Sequence, residues 1–243
     1  MSMHGLTRIV VVAALASCAA SVRGEDSLLF ANENRFYLAP IVGASWGTLI
    51  YYEPADPGEP SEPGQPIMNG NLFTAGGAAG VAFARDRGQL RLEFEGRYRD
   101  NFGTSREVLP GISASLQITD NWSTMANAWR DFSFTDRLGI YGGGGIGAGG
   151  YGVNPSISFG NDVIIGSTMT AFAWQAGGGV LYAFNERITL DLGYRFYSVG
   201  PGNSTLQLIG NGTPVASTAV STSFATSEML LSLRVYEPFR RWR

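Results

Sequence analysis

Residues Ala171–Tyr197, AFAWQAGGGVLYAFNERITLDLGYRFY, constrain this chain more than any other stretch. Their second half places Ile188, Leu190, Leu192, Tyr194 and Phe196 on one side and Arg187, Thr189, Asp191, Gly193, Arg195 and Tyr197 on the other. That alternation has period two, which a strand satisfies and a helix does not. The first half reads as a partner strand, joined by a tight turn at Asn185-Glu186. A soluble antiparallel sheet alternates in the same way, so the hairpin alone does not choose between a water-facing sheet and a membrane wall.

The N-terminal residues bear on that choice. Arg8, the apolar run Ile9–Ala16 and the small residues of Ser17–Ser21 follow the order of a secretory signal peptide, expected to span residues 1–24. The apolar run is well short of the roughly 20 residues a spanning helix needs. Leu15-Ala16-Ser17-Cys18 has the form of a lipoprotein cleavage box with Cys18 as the acylated residue; the alternative is an ordinary cut before Glu25 that discards Cys18. Removal of residues 1–24 takes away Arg8 and Arg23 and no acid, so the net charge goes from −3 to −3 − 2 = −5. No cluster of Arg remains except the tail Arg240, Arg241 and Arg243, and the chain has no Lys, so nucleic acid is not an expected partner. The single Cys excludes an internal disulfide.

After a polar, periplasmic lead-in at residues 25–34, strands are expected at Arg35–Ile50, Asn71–Ala84 and Gln89–Arg99, the last two joined across Arg85–Gly88. A fourth strand runs to Phe132, a fifth covers Leu138–Tyr151, the opening hairpin adds two, and Ser223–Tyr236 is the last. Between them long loops at Glu53–Asn69, Asp100–Gly111, Gly152–Gly166 and Val199–Thr222 alternate with short turns. Eight strands with strictly alternating long and short connections predict an all-β fold, an eight-stranded antiparallel up-and-down transmembrane β-barrel over residues 35–239. A soluble barrel would place its apolar side chains inward instead. Trp46, Tyr51, Tyr98, Trp122, Phe132, Phe184, Tyr194, Phe196 and Tyr236 fall mostly near strand ends, where interfacial girdles form.

Five segments in order carry a family resemblance: GVAFARDRGQLRLEFEGRYR (Gly80–Arg99), STMANAWRDF (Ser123–Phe132), YGGGGIGAGG (Tyr141–Gly150), Phe172–Tyr197 of the hairpin and SEMLLSLRV (Ser227–Val235). Together the chain resembles the small outer-membrane β-barrels that include opacity-type porins and related surface proteins. The resemblance implies residence in the outer membrane of a Gram-negative-type envelope, contact with outer-membrane lipid, and insertion by the barrel-assembly machinery. Members end on an aromatic residue that closes the last strand. Here Tyr236 or Phe239 fills that role, with Pro238 between them and a basic tail, residues 240–243, beyond.

Catalytic chemistry is poorly supplied. His4 is the only His and lies in the signal peptide, so the remainder has no imidazole for general-base work and no Cys/His metal set. No cofactor is expected. Glu93 and Glu95 point the same way, about 7 Å apart along one strand, but Arg91, Arg97 and Arg99 share their face and hold carboxylates ionised. The same residues together with Asp131, Arg187, Asp191, Arg195, Glu228 and Arg234 form a nearly balanced ladder expected to fill the interior. Gly145-x-Gly147-x-x-Gly150 imitates a dinucleotide fingerprint but is followed by no helix; glycines at this density instead make room for large inward side chains such as Trp129 and the arginines. The expected role is non-enzymatic: a mostly plugged barrel serving envelope structure or surface interaction, with external contacts through residues 53–69 and 199–222. A small porin is the alternative, and a lipid-modifying enzyme the less favoured one.

Overall fold

The computed structural model describes residues 33–52, 64–85, 88–109, 112–157, 163–210 and 213–239. The expected signal peptide with Cys18, most of the lead-in, residues 53–63 of the first loop and the tail 240–243 lie outside the described residues.

Among the described residues ten strands form: β1 (Arg35–Tyr52), β2 (Gln65–Arg85), β3 (Gly88–Arg99), β4 (Phe102–Leu109), β5 (Ile112–Ser133), β6 (Leu138–Ile157), β7 (Val163–Ile165), β8 (Ser167–Asn185), β9 (Ile188–Gly210) and β10 (Thr213–Tyr236). Eight of them make the ring β1-β2-β3-β5-β6-β8-β9-β10, every pairing antiparallel, and β10 returns to β1 with Tyr37 opposite Tyr236. Closure leaves no free edge through the wall, which is what a sheet inside a bilayer requires. β4 carries the line of β3 onward along β5, and β7 begins the line of β8 along β9.

The strand ends set the polarity. The chain enters at Arg35 and leaves at Tyr236 on the same rim as the turns after Arg85, Ser133 and Asn185. In the last of these turns Asn185 Oδ1 accepts from the Arg187 and Ile188 N–H groups, at 2.9 Å each. The C-terminus is fastened to this rim: Glu237 N–H donates to Phe36 O at 2.9 Å, Glu237 Oε1 accepts from Phe36 N–H at 3.1 Å, and Phe239 stacks on Phe36.

Three expected loops prove to be largely strand. Val199–Thr222 is the upper part of β9 and β10, paired up to Thr213 opposite Gly210; Asp100–Gly111 contains β4; Gly152–Gly166 contains the end of β6 and all of β7. β9 alone has 23 residues, whereas about 9–11 residues cross a membrane. The sheet therefore continues well outside the bilayer. The segment is rich in Ser, Thr and Gly, which read as loop by composition, but ladder hydrogen bonds are made by the backbone and Thr and Val suit a pleated strand. Bulges mark where wall gives way to extension: between Thr222 and Phe224 opposite Gly200-Pro201, with Gly200 at φ +93, and between Thr119 and Trp122, with Asp120 at φ 50.

Outward positions are apolar and aromatic, among them Trp46, Phe94, Tyr98, Trp174, Phe184 and Tyr194. Tyr236, expected in the girdle, points inward instead and is buried against Tyr37, with ring centres 5.6 Å apart. It shares its face with Arg234 and Glu228, so strand phase overrides its place at the strand end.

Candidate functional site

The inward face of β3 is a buried column of Gln89, Arg91, Glu93, Glu95, Arg97 and Arg99. An eight-stranded ring is narrow enough for such side chains to meet partners from the opposite wall. β1 supplies Tyr37, β5 Asn127, Trp129 and Asp131, β8 Gln175, β9 Asp191 and Arg195, and β10 Glu228 and Arg234, all buried.

Two tiers result. In the tier nearer the short turns Asp131 is the hub: it accepts from Arg91 Nε at 2.9 Å, Arg234 Nη1 at 2.9 Å and Gln89 Nε2 at 2.7 Å. Arg234 Nη2 reaches Asp191 at 2.6 Å, and Arg91 Nη1 pairs with Glu93 at 3.2 Å. Glu93 also accepts from the Tyr37 hydroxyl at 2.5 Å and from Trp129 Nε1 at 2.6 Å. In the outer tier Glu95 pairs with Arg97 Nε at 2.5 Å and with Arg195. Glu228 pairs with Arg97 and with Arg99 Nε, the latter at 2.7 Å, and accepts from Thr226 at 2.9 Å. Asn127 joins the tiers, its Nδ2 donating at 3.1 Å to both Glu93 and Glu95. Gln175 donates to Asn127 Oδ1 and accepts from Arg97 Nη2, both at 2.6 Å.

Aromatic faces cover the guanidinium planes. Arg99 lies 4.0 Å from the Tyr197 ring centre and Arg195 lies 4.7 Å from that of Trp129. Beyond the outer tier Leu49, Leu72, Phe102, Met169, Tyr151 and Phe224 close over the network as an apolar cluster, the Phe224 ring 5.7 Å from those of both Phe102 and Tyr151. The cross-section is thus filled first by ion pairs and then by hydrocarbon.

Of the eleven charged residues expected inside, ten are buried in this network among the described residues, five Arg and five acids. Their formal charges cancel, so the interior carries no net charge. Arg187 is not among them: it lies half-buried in the turn between β8 and β9, because strand phase is lost where the hairpin reverses. The neutral linkers Tyr37, Gln89, Asn127 and Gln175 carry no charge to mark them in the sequence, although counting back in twos from Asp131 reaches Asn127. Trp129→Phe removes one donor from buried Glu93 and should destabilise the barrel by about 1–3 kcal/mol, read as a lowered urea midpoint. Among the described residues no group of three or more His, Cys, Asp or Glu is placed to hold a metal.

A closed antiparallel ring with an ionic interior, an apolar and aromatic exterior, short turns at one rim and tall strands at the other defines an outer-membrane barrel. The family model described as the outer membrane protein beta-barrel domain matches residues 9–223, and the chain belongs to that family, whose place is the Gram-negative outer membrane. No curated protein matches the chain.

Solved structures similar to it include Neisserial surface protein A of Neisseria, at 18% identity over 82% of this chain and 96% of that one, with a TM-score of 0.37. Ail, the attachment invasion locus protein of Yersinia pestis, in complex with a heparin analogue, is 15% identical over 82% of this chain and 99% of its own, with a TM-score of 0.37. The outer membrane protease OmpT of Escherichia coli is 8% identical over 85% and 98%, with a TM-score of 0.46. Identities this low say nothing about activity.

Proposed function

We propose that this protein is a non-conducting, non-enzymatic barrel of the outer membrane, serving the envelope as a rigid support for the β-structure it raises above the surface. The observation that carries the reading is the filled cross-section: five arginines and five acids joined through Asn127 and Gln175, then covered by the apolar cluster around Phe224. A solute would have to break several buried ion pairs and then pass the packed cluster around Phe224, where the Tyr151 hydroxyl is already taken up by Thr222 Oγ1 at 3.0 Å. The surface contacts are assigned to residues 53–69 and 199–222, the second lying on the tall β9–β10 hairpin, which carries exposed Val215 at its upper end. In this reading residues 1–24 direct export and are removed, and the C-terminal aromatic, Tyr236 or Phe239, is offered to the assembly machinery.

Planar-bilayer conductance tests it. Mature protein refolded in detergent, with a heat-dependent gel shift as proof of folding, should give no large long-lived channels. Stable channels of high conductance from folded protein would overturn the plugged reading in favour of a small porin, and turnover of lipid by purified protein would overturn the non-enzymatic part.

A further inference from the structure

Among the described residues the outward face of the wall carries one charge between its ends. Asp120 lies at the outer bulge and Arg85 at a turn, but Arg130 projects from β5 between Ala128 and Phe132, opposite Leu90 on β3 and Gly142 on β6. It lies three residues from Ser133, where β5 ends at the rim of short turns. Its guanidinium is 5.0 Å from the Phe132 ring centre, and its Nη1 is buried without a hydrogen-bond partner. It takes part in none of the ion pairs among the described residues. A lipid-facing arginine is tolerated at the membrane boundary, where its head meets polar groups, and the commonest anion there is a lipid phosphate.

The wall next to Arg130 is recessed. Ala128, Ala126 and Gly144 stand where bulky outward residues stand elsewhere, and they line part of a trough of about 950 Å³ that runs across the wall from Phe36 on β1 past Phe94 to Trp174 on β8, coming within one outward position of Arg130 at Ala128. From Arg130 to Ala126 is about 13 Å along the strand at about 3.3 Å per residue, which at the usual strand tilt is about 10 Å of height in an apolar band about 25 Å tall. A charge at the boundary and an apolar recess beginning at the next outward position, deeper in the membrane, match one amphiphile.

We propose that Arg130 and this trough bind a glycerophospholipid of the periplasmic leaflet, with its phosphate on the guanidinium and one acyl chain in the trough. Native mass spectrometry tests this on the full mature barrel, folded in phosphatidylglycerol vesicles and extracted in mild nonionic detergent, each variant first checked by gel shift. Wild type should retain one phosphatidylglycerol. R130Q should retain it at least tenfold less, R130K should fall between, and A128F, which fills the trough and leaves the charge untouched, should also lose it. Diacylglycerol, which lacks the phosphate, should not be retained. Equal retention by R130Q, equal retention of diacylglycerol, or an unaffected A128F would each overturn the proposal. So would inorganic phosphate binding as tightly as the lipid, or a second barrel occupying the trough as a dimer that R130Q leaves intact.

Discussion

Asp131→Leu should destabilise the folded barrel by about 3–5 kcal/mol, the cost of stripping the partner from a buried charge. Three donors converge on that carboxylate: Arg91 Nε, Arg234 Nη1 and Gln89 Nε2. Leu offers none of them an acceptor, and both guanidinium groups stay fully enclosed by wall and rings. Arg91 would keep Glu93 and Arg234 would keep Asp191, so the network relaxes in part and the barrel still closes. Asp131→Asn, which preserves shape and one acceptor oxygen, should cost less. Urea unfolding in lipid vesicles gives the free energies. A double-mutant cycle with Arg234→Gln should return a coupling of about 0.5–3 kcal/mol. Single costs that simply add would show that Asp131 and Arg234 do not depend on each other.

The same carboxylate shows what the sequence could convey. Phase alone puts Asp131 inside, since a strand turns every second residue to the same face, and phase is readable wherever the outward residues are uniformly apolar. On β3, and on β9 from Ile188 to Phe196, that condition holds, and their buried charges can be counted from the sequence. Phase fails at reversals, which is why alternation puts Arg187 inside while the residue lies in a turn. It also fails as a guide to strand length. Beyond the membrane no lipid demands apolar side chains on one face, so the upper parts of β9 and β10 lose the alternating pattern while keeping the ladder. Partners were less legible than positions. That Glu228 on β10 meets Arg97 and Arg99 on β3 depends on the ring being closed and narrow, which local sequence does not encode.

Gly145→Leu should abolish folding, and the reason again lies in the network. A Cβ at this inward position of β6 would stand 1.9 Å from Asn127 Oδ1 and 2.5 Å from the Ala126 carbonyl oxygen. Asn127 cannot swing away cheaply, because its Nδ2 holds Glu93 and Glu95 and its Oδ1 accepts from Gln175. Even Ala in this place should cost about 1–3 kcal/mol in overpacking, and the further atoms of Leu have no space in a cross-section already filled. Gly143 is bound in the same way: its Cβ would meet the Ala128 carbonyl oxygen at 2.2 Å and Trp129 at 2.9 Å. Gly96 provides the control. It faces outward from β3, and a Cβ there meets nothing within 4 Å, so Gly96→Leu should give the wild-type gel shift and refold with wild-type yield in lipid. Wild-type folding of Gly145→Leu would mean that the interior has room to spare, and the plugged reading would fail with it.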